Sequence, residues 1–162
     1  MKKIYFVGLP VKEKGIEDFS YLAGKIKEAK FYWFCLKLDN SIKNKYKKIN
    51  FLVGLNDREM KKKISDMDLM ACCSRFEGFC LPIAEALLLK KPVISYRLKE
   101  VESTYLNNIE YIKCFSLNKY VRGIKKVISN KGLCKDAKKA RMFVINNYSP
   151  EVVSQRLLKI IF

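Results

Sequence analysis

Asp68-Leu69-Met70-Ala71-Cys72-Cys73-Ser74-Arg75-Phe76-Glu77-Gly78-Phe79-Cys80-Leu81-Pro82-Ile83-Ala84-Glu85-Ala86-Leu87-Leu88-Leu89-Lys90-Lys91-Pro92-Val93-Ile94-Ser95 is the stretch from which the fold can be read. Its apolar opening, 68–73, has the length and bounds of a buried strand. The chain then turns through Glu77-Gly78-Phe79 and enters a helix at Leu81-Pro82, where proline costs nothing because its missing N–H would be unpaired anyway. That helix is predicted to end near Lys90-Lys91, and Pro92-Val93-Ile94-Ser95 begins another strand. The unit is strand–loop–helix–strand, with its loop between the carboxyl end of a strand and the amino end of a helix. In an open parallel sheet ligands bind there, because free N–H groups and the positive end of the helix dipole converge.

The same alternation extends in both directions. Residues 3–7 predict a first strand, closed by Gly8-Leu9-Pro10, and 16–30 a helix with Phe19, Leu22, Ala23 and Ile26 on one face. Residues 31–36 are almost wholly apolar, as a strand covered on both faces should be. Polar, lysine-rich 39–48 predicts a short surface helix or loop. Ile49–Val53 predicts a third strand, after which Asn56-Asp57 caps a helix running to about 65. Beyond the central unit come a short segment at 100–106, a strand at 111–115, and helices at Leu117–Ser129, 133–146 and Pro150–Ile161. The expected architecture is one Rossmann-like α/β/α domain over 1–162, with a parallel sheet of about six strands.

Composition narrows the chemistry. The chain has 162 residues and no histidine, which excludes any mechanism that needs a histidine base from this chain. Cys35, Cys72, Cys73 and Cys114 lie inside apolar runs and no CxxC pair occurs, so buried reduced thiols are expected rather than disulfides or zinc ligands. No apolar run is long enough to span a bilayer and no signal peptide is visible, so a cytoplasmic location is expected. The formal charge of +17, from 33 basic and 16 acidic side chains, gathers at 43–48, 61–63, 122–126 and 135–141. It fits solvated helix faces or attraction to an anionic membrane surface. Nucleic acid is disfavoured, because no recognised module is present.

Two carboxylates, Glu77 and Glu85, stand eight positions apart in the central unit. Gly78 allows close backbone approach to a ligand, and the amides of Phe79, Cys80 and Leu81 are free to donate. Carboxylates accept hydroxyl donors and helix-end amides bind phosphate, so a nucleotide sugar would satisfy the set. Spacing alone leaves another reading open, in which Glu85 complements the helix dipole and Glu77 is a solvated loop residue.

Ser74, Glu77, Gly78, Phe79, Leu81, Pro82, Glu85, Ala86, Pro92, Val93 and Ile94 resemble the signature of family 4 of the retaining glycosyltransferases, which have the GT-B fold. The pattern there is Pro-Ser-x-x-Glu-Gly-Phe-Gly-Leu-Pro-x-x-Glu-Ala, then a short apolar stretch and Gly-x-Pro-Val-Ile. Cys73 stands in place of its proline, and Cys80 and Lys90 in place of two glycines. The segment Gly8 to Gly15 resembles the family's Gly-Arg-x-x-x-x-Lys-Gly, with Lys14 matching the lysine and Leu9 standing where the arginine would be. Lys12 is the nearest substitute for that arginine, although lysine lacks its two-pronged phosphate contact. Phe51-Leu52-Val53-Gly54 resembles the family's Phe-Leu-Gly segment and Tyr148-Ser149-Pro150-Glu151 a late Tyr/Phe-Ser-Trp segment; Glu100 echoes a Gly-Gly-x-x-Glu loop too faintly to be given a role.

The resemblance implies roles. Glu77 would hold the transferred sugar near its reacting centre, and Lys14 would offset phosphate charge as the leaving group departs. Glu85 would hold the ribose hydroxyls, and the loop at Leu55 would border the base. Gly8, Lys12, Gly78, Phe79, Cys80 and Leu81 complete the expected donor site. The implied reaction is retaining hexosyl transfer from a nucleotide-diphosphate sugar to a glycan or lipid-linked acceptor, with no metal and no cofactor. The resemblance covers the donor-binding half only, so the acceptor domain is expected from a separate protein or a second copy. The alternative is a non-catalytic Rossmann-like module whose basic surface meets a membrane, protein or nucleic-acid partner.

Overall fold

The computed structural model describes residues 1–105, 108–112, 116–129 and 137–161. β1 (Lys2–Val7) is the hub of the sheet, pairing in parallel with β2 (Ala29–Cys35) on one side and β4 (Leu69–Cys72) on the other. β3 (Ile49–Val53) continues the sheet beyond β2, while β5 (Val93–Tyr96) and β6 (Glu110–Ile112) continue it beyond β4. The order is therefore β3-β2-β1-β4-β5-β6, all parallel. Chain order reverses direction between β1 and β4, which opens a crevice at their carboxyl ends.

Right-handed crossovers put the helices on opposite faces according to the direction each connection takes. α1 (Ile16–Lys25), which leads from β1 to β2, packs with α6 (Leu117–Ser129). α4 (Leu81–Leu88), which leads from β4 to β5, lies on the other face against α7 (Ala137–Tyr148), and α8 (Pro150–Ile161) packs on α7. Shorter helices are α2 (Asn40–Lys45), α3 (Asp57–Ser65) and α5 (Lys99–Tyr105). The core under α1 is aromatic: Trp33 meets Phe6 edge-on at 4.8 Å and Phe19 at 5.2 Å, all three fully buried. Such pairs add about 0.5–1.5 kcal/mol beyond their buried area. Every residue of β4 and β5 is buried, as in a strand covered on both faces.

Element boundaries depart from the sequence reading in a few places. The first helix ends at Lys25, not 30, because Ala29 and Lys30 pair with Lys2 and Lys3 and are already strand. Residues 39–48 do form a short helix, α2, capped by the Asp39 carboxylate, which accepts from the Ser41 amide at 2.6 Å. β4 stops at Cys72, leaving Cys73 to the loop. α3 begins with a reciprocal capping box between Asn56 and Glu59. Of the strand expected at 111–115, residues 113–115 lie outside the described residues, as do 133–136 of the helix expected at 133–146, and Cys114. Cys35, Cys72, Cys73 and Cys80 are buried free thiols. The lysines of 43–48 and 61–63 are exposed. Among the described residues no helix is long and apolar enough to cross a membrane.

Candidate active site

Two loops meet at the crevice, one after β1 and one after β4. The first leaves β1 at Gly8, whose amide donates to Phe34 O and whose carbonyl accepts from the Trp33 indole N–H at 2.8 Å. It then makes a single 3₁₀ turn, Lys12–Lys14, and reverses at Gly15, where φ is +75°. A Cβ on Gly15 would sit 2.0 Å from the Cys73 carbonyl oxygen, so only glycine permits this approach. The Arg75 amide donates to Glu13 O at 2.9 Å and fastens the same pair of loops.

This clamp delivers Lys14 to Glu77. The Lys14 ammonium lies 2.7 Å from a Glu77 carboxylate oxygen, with the Glu77 side chain 9% exposed and that of Lys14 33%. The two residues expected to be catalytic are thus one ion pair, with Glu77 the deeper partner. Glu77 is accordingly not the solvated loop residue that spacing alone left open. A second clamp, which sequence reasoning missed, holds the loop from beneath. Buried Asp18, in the first turn of α1, accepts from the Arg75 guanidinium at 2.5 Å and from the Tyr96 hydroxyl at 2.8 Å. Burial and the bond to Asp18 push the Tyr96 phenol well up.

The amino end of α4 supplies the third side. Among the described residues no acceptor meets the amides of Phe79, Cys80 or Leu81, so these helix-end donors are available, as expected. The carbonyls of Phe79 and Cys80 are fixed instead: the Tyr105 hydroxyl donates to Phe79 O at 2.7 Å and lies 3.1 Å from Cys80 O. The Phe79 ring packs between Tyr105 and Tyr148. A Cβ added to Gly78 would meet nothing within 4 Å, so neither packing nor backbone conformation demands glycine there. The room it leaves faces outward.

Glu85 stands on α4 at the surface beside the crevice. Loss of water around its carboxyl, and then the nearby Asp57 carboxylate, push its pKa up. Below it the Tyr5 hydroxyl is buried with no hydrogen-bond partner among the described residues. Burial raises that phenol and the Glu85 charge adds to the shift. A hollow of about 320 Å³ opens at the carboxyl ends of β1, β2 and β3, lined by Gly8, Leu9, Phe34, Leu36, Leu55 and Asp57 among others. Gly8 and Leu55, both expected at the donor site, line this hollow. Lys12 stands exposed on the 3₁₀ turn with no ion pair among the described residues. Asp18, Tyr105, Asp57 and Tyr5 flank the site from outside the motif, and Arg75 from a position within it that the pattern leaves unspecified.

Paired charges and open helix amides thus meet at the switch point of a doubly wound sheet, where ligands bind in open α/β folds. Residues 1–143 match the family described as Glycosyl transferases group 1, and the chain belongs to that family. It is 24% identical over 153 residues to the poly(ribitol-phosphate) alpha-N-acetylglucosaminyltransferase of Staphylococcus aureus (strain COL), covering 92% of this chain and 29% of that protein. Sucrose-phosphate synthase from Thermosynechococcus elongatus superposes with a TM-score of 0.86 at 15% identity, over 98% of this chain and 44% of that one. An S. aureus TarM variant, solved with fondaparinux, alpha-GlcNAc-glycerol and UDP, superposes with a TM-score of 0.77 at 23% identity, over 98% of this chain and 35% of that one. The chain thus spans less than half the length of each of these proteins. The fold is the Rossmann-type half of a GT-B-like glycosyltransferase.

Proposed function

We propose that this chain is the donor-binding half of a retaining glycosyltransferase of family 4, and that it holds a nucleotide-diphosphate hexose for transfer to a glycan or lipid-linked acceptor. The observation that carries the reading is the 2.7 Å Lys14–Glu77 pair at the sheet's switch point. In this scheme the diphosphate enters beside Lys14, whose ammonium offsets the charge that grows on the leaving oxygen. The open amides of Phe79, Cys80 and Leu81 take the remaining phosphate oxygens. Charge met in this way, by groups fixed before the reaction, calls for no metal. Glu77, steadied by Lys14, accepts from hydroxyls of the transferred sugar. Glu85 accepts from the ribose, and the hollow at Leu55 and Leu36 takes the base. Lys12 is the second cation within reach of the diphosphate in place of the arginine that Leu9 replaces.

The crevice is open on one side, and its rim carries exposed apolar side chains: Leu9 at 59% exposure, Leu36, Phe76 at 76% and Leu81. Such a rim suits closure by an acceptor-binding domain, from a partner protein or a second copy, which would exclude water during transfer. The basic-surface alternative, a non-catalytic module on a membrane, protein or nucleic-acid partner, gives no reason for a buried Glu77 held by Lys14 and is not favoured.

The test is a thermal-shift or calorimetric panel of UDP-, GDP- and ADP-sugars, with and without Mg²⁺. One base class should raise the melting temperature in a concentration-dependent way, by about 2.7 kcal/mol of added stability at a hundredfold excess over Kd. Glu85→Ala should erase the effect. Absence of any shift at millimolar sugar nucleotide would overturn the reading for this chain.

A further inference from the structure

Cys80 carries a side chain that its backbone disfavours. Its φ of 55° and ψ of 70° lie in the left-handed region, where a residue other than glycine costs about 1–2 kcal/mol. The pattern this segment resembles has glycine at that place. The sulfur that replaces the missing hydrogen lands in company: Cys80 Sγ lies 3.9 Å from Cys72 Sγ, both buried. A Glu77 carboxylate oxygen joins them, and the three atoms all lie within 4.8 Å of one another.

The sulfur separation distinguishes two uses. A disulfide needs about 2.05 Å, so the sulfurs would have to close almost half their distance. Two thiolates on a tetrahedral Zn²⁺, each about 2.3 Å from the metal, stand about 3.8 Å apart. The observed 3.9 Å, at which one thiol donates to the other, already matches that tetrahedral edge, so metal capture would need little movement of the sulfurs. We propose that Cys72, Cys80 and Glu77 form a binding site for one thiophilic divalent cation of the Zn²⁺ class, with the fourth position open. Two thiolates and a carboxylate balance the 2+ ion together with the Lys14 ammonium, so the buried cluster is neutral overall, as a low-dielectric site requires. The two thiol protons leave to solvent on binding.

The ion takes the Glu77 carboxylate away from the sugar, so it inhibits rather than assists transfer; this consequence rests on the donor reading, whereas the site itself does not. The test uses Cd²⁺ as probe, titrated into the reduced chain with no sugar nucleotide present. A thiolate-to-metal charge-transfer absorption should grow and saturate at about one equivalent. Cys80→Gly relieves the backbone and should fold at least as stably, yet lower the affinity by about a hundredfold or more, as should Cys72→Ala. Cys73→Ala, the adjacent buried thiol, should leave the absorption intact. A band that persists in Cys80→Gly, no band at stoichiometric Cd²⁺, or oxidation of the pair to a disulfide in preference to metal capture would each overturn the proposal. None of these readouts uses the donor, so the sugar-nucleotide panel can fail while the metal site stands, or the reverse.

Discussion

Lys14 and Glu77 form an ion pair of 2.7 Å across a sequence separation of 63 residues, one from each loop of the crevice. Contacts that involve neither charge hold the two loops together: the close passage of Gly15 against the Cys73 carbonyl and the Arg75 amide donating to Glu13 O.

Gly15→Ala should therefore damage the site through the fold. The new methyl would lie 2.0 Å from a backbone oxygen at a φ of +75°, and no flexible side chain is there to yield. The expected loss is upward of about 2 kcal/mol of stability, in the range of core overpacking and backbone strain combined. Urea unfolding measures it, and a midpoint within error of the parent would refute the close approach.

Lys14→Ala leaves the nearly buried Glu77 carboxylate without its cation. Stranding a buried group costs about 1–3 kcal/mol. Replacing the carboxylate as well, in Lys14→Ala with Glu77→Gln, removes the uncompensated charge, so the double variant should recover much of that loss. A double-mutant cycle in urea isolates the coupling. Strict additivity of the two substitutions would mean the pair contributes nothing.

Tyr105→Phe tests how the open amides of α4 are aimed. Its hydroxyl is the anchor for the Phe79 carbonyl and lies beside that of Cys80. Removing it leaves the part-buried Phe79 carbonyl without that donor, while Cys80 O still accepts from the Ile83 amide, so the cost should be about 1 kcal/mol. Amide exchange in the loop from Phe76 to Ile83 should quicken while the β1 and β2 amides stay protected. Uniform exchange across the sheet and the loop would show that Tyr105 serves global stability instead.

Some of this arrangement was legible in the chain before any coordinates. The bounds of Leu117–Ser129 could be read from the chain, because Tyr120, Ile124 and Val127 form one buried helix face and the period of 3.6 survives in the residues. The end of α1 was not legible: Ile26 prolongs the apolar stripe, and only the pairing of Ala29 with Lys2 shows that strand has begun. At the site, Gly78 and Glu77 stood out because a loop between strand and helix needs open amides and a near backbone. Asp18, Tyr96 and Tyr105 did not, since their work is done across 57, 78 and 26 positions and leaves no local pattern. Tyrosine in an apolar run reads as core, and the place where its hydroxyl lands is a tertiary fact.

Glu85 should carry a cost in stability that depends on pH. Its folded pKa is raised above the ordinary 4.5, first by loss of water around the carboxyl and then by Asp57. The folded state therefore binds this proton more tightly than the unfolded state does, so the group's contribution falls as pH rises from the unfolded value through the folded one. At neutral pH the ionised Glu85 is a net burden on the fold. Glu85→Gln removes the charge, so the variant should be more stable than the parent at pH 7, with the advantage fading as pH falls through the parent's raised folded pKa toward the ordinary 4.5. The same substitution should weaken sugar-nucleotide binding, because an amide is a poorer acceptor for the ribose hydroxyls than a carboxylate. A residue that lowers stability and raises affinity is what a binding site kept for its ligand should contain. Urea unfolding of both proteins from pH 4 to pH 8 decides the matter: a difference that does not change with pH would show that Glu85 is an ordinary solvated carboxylate.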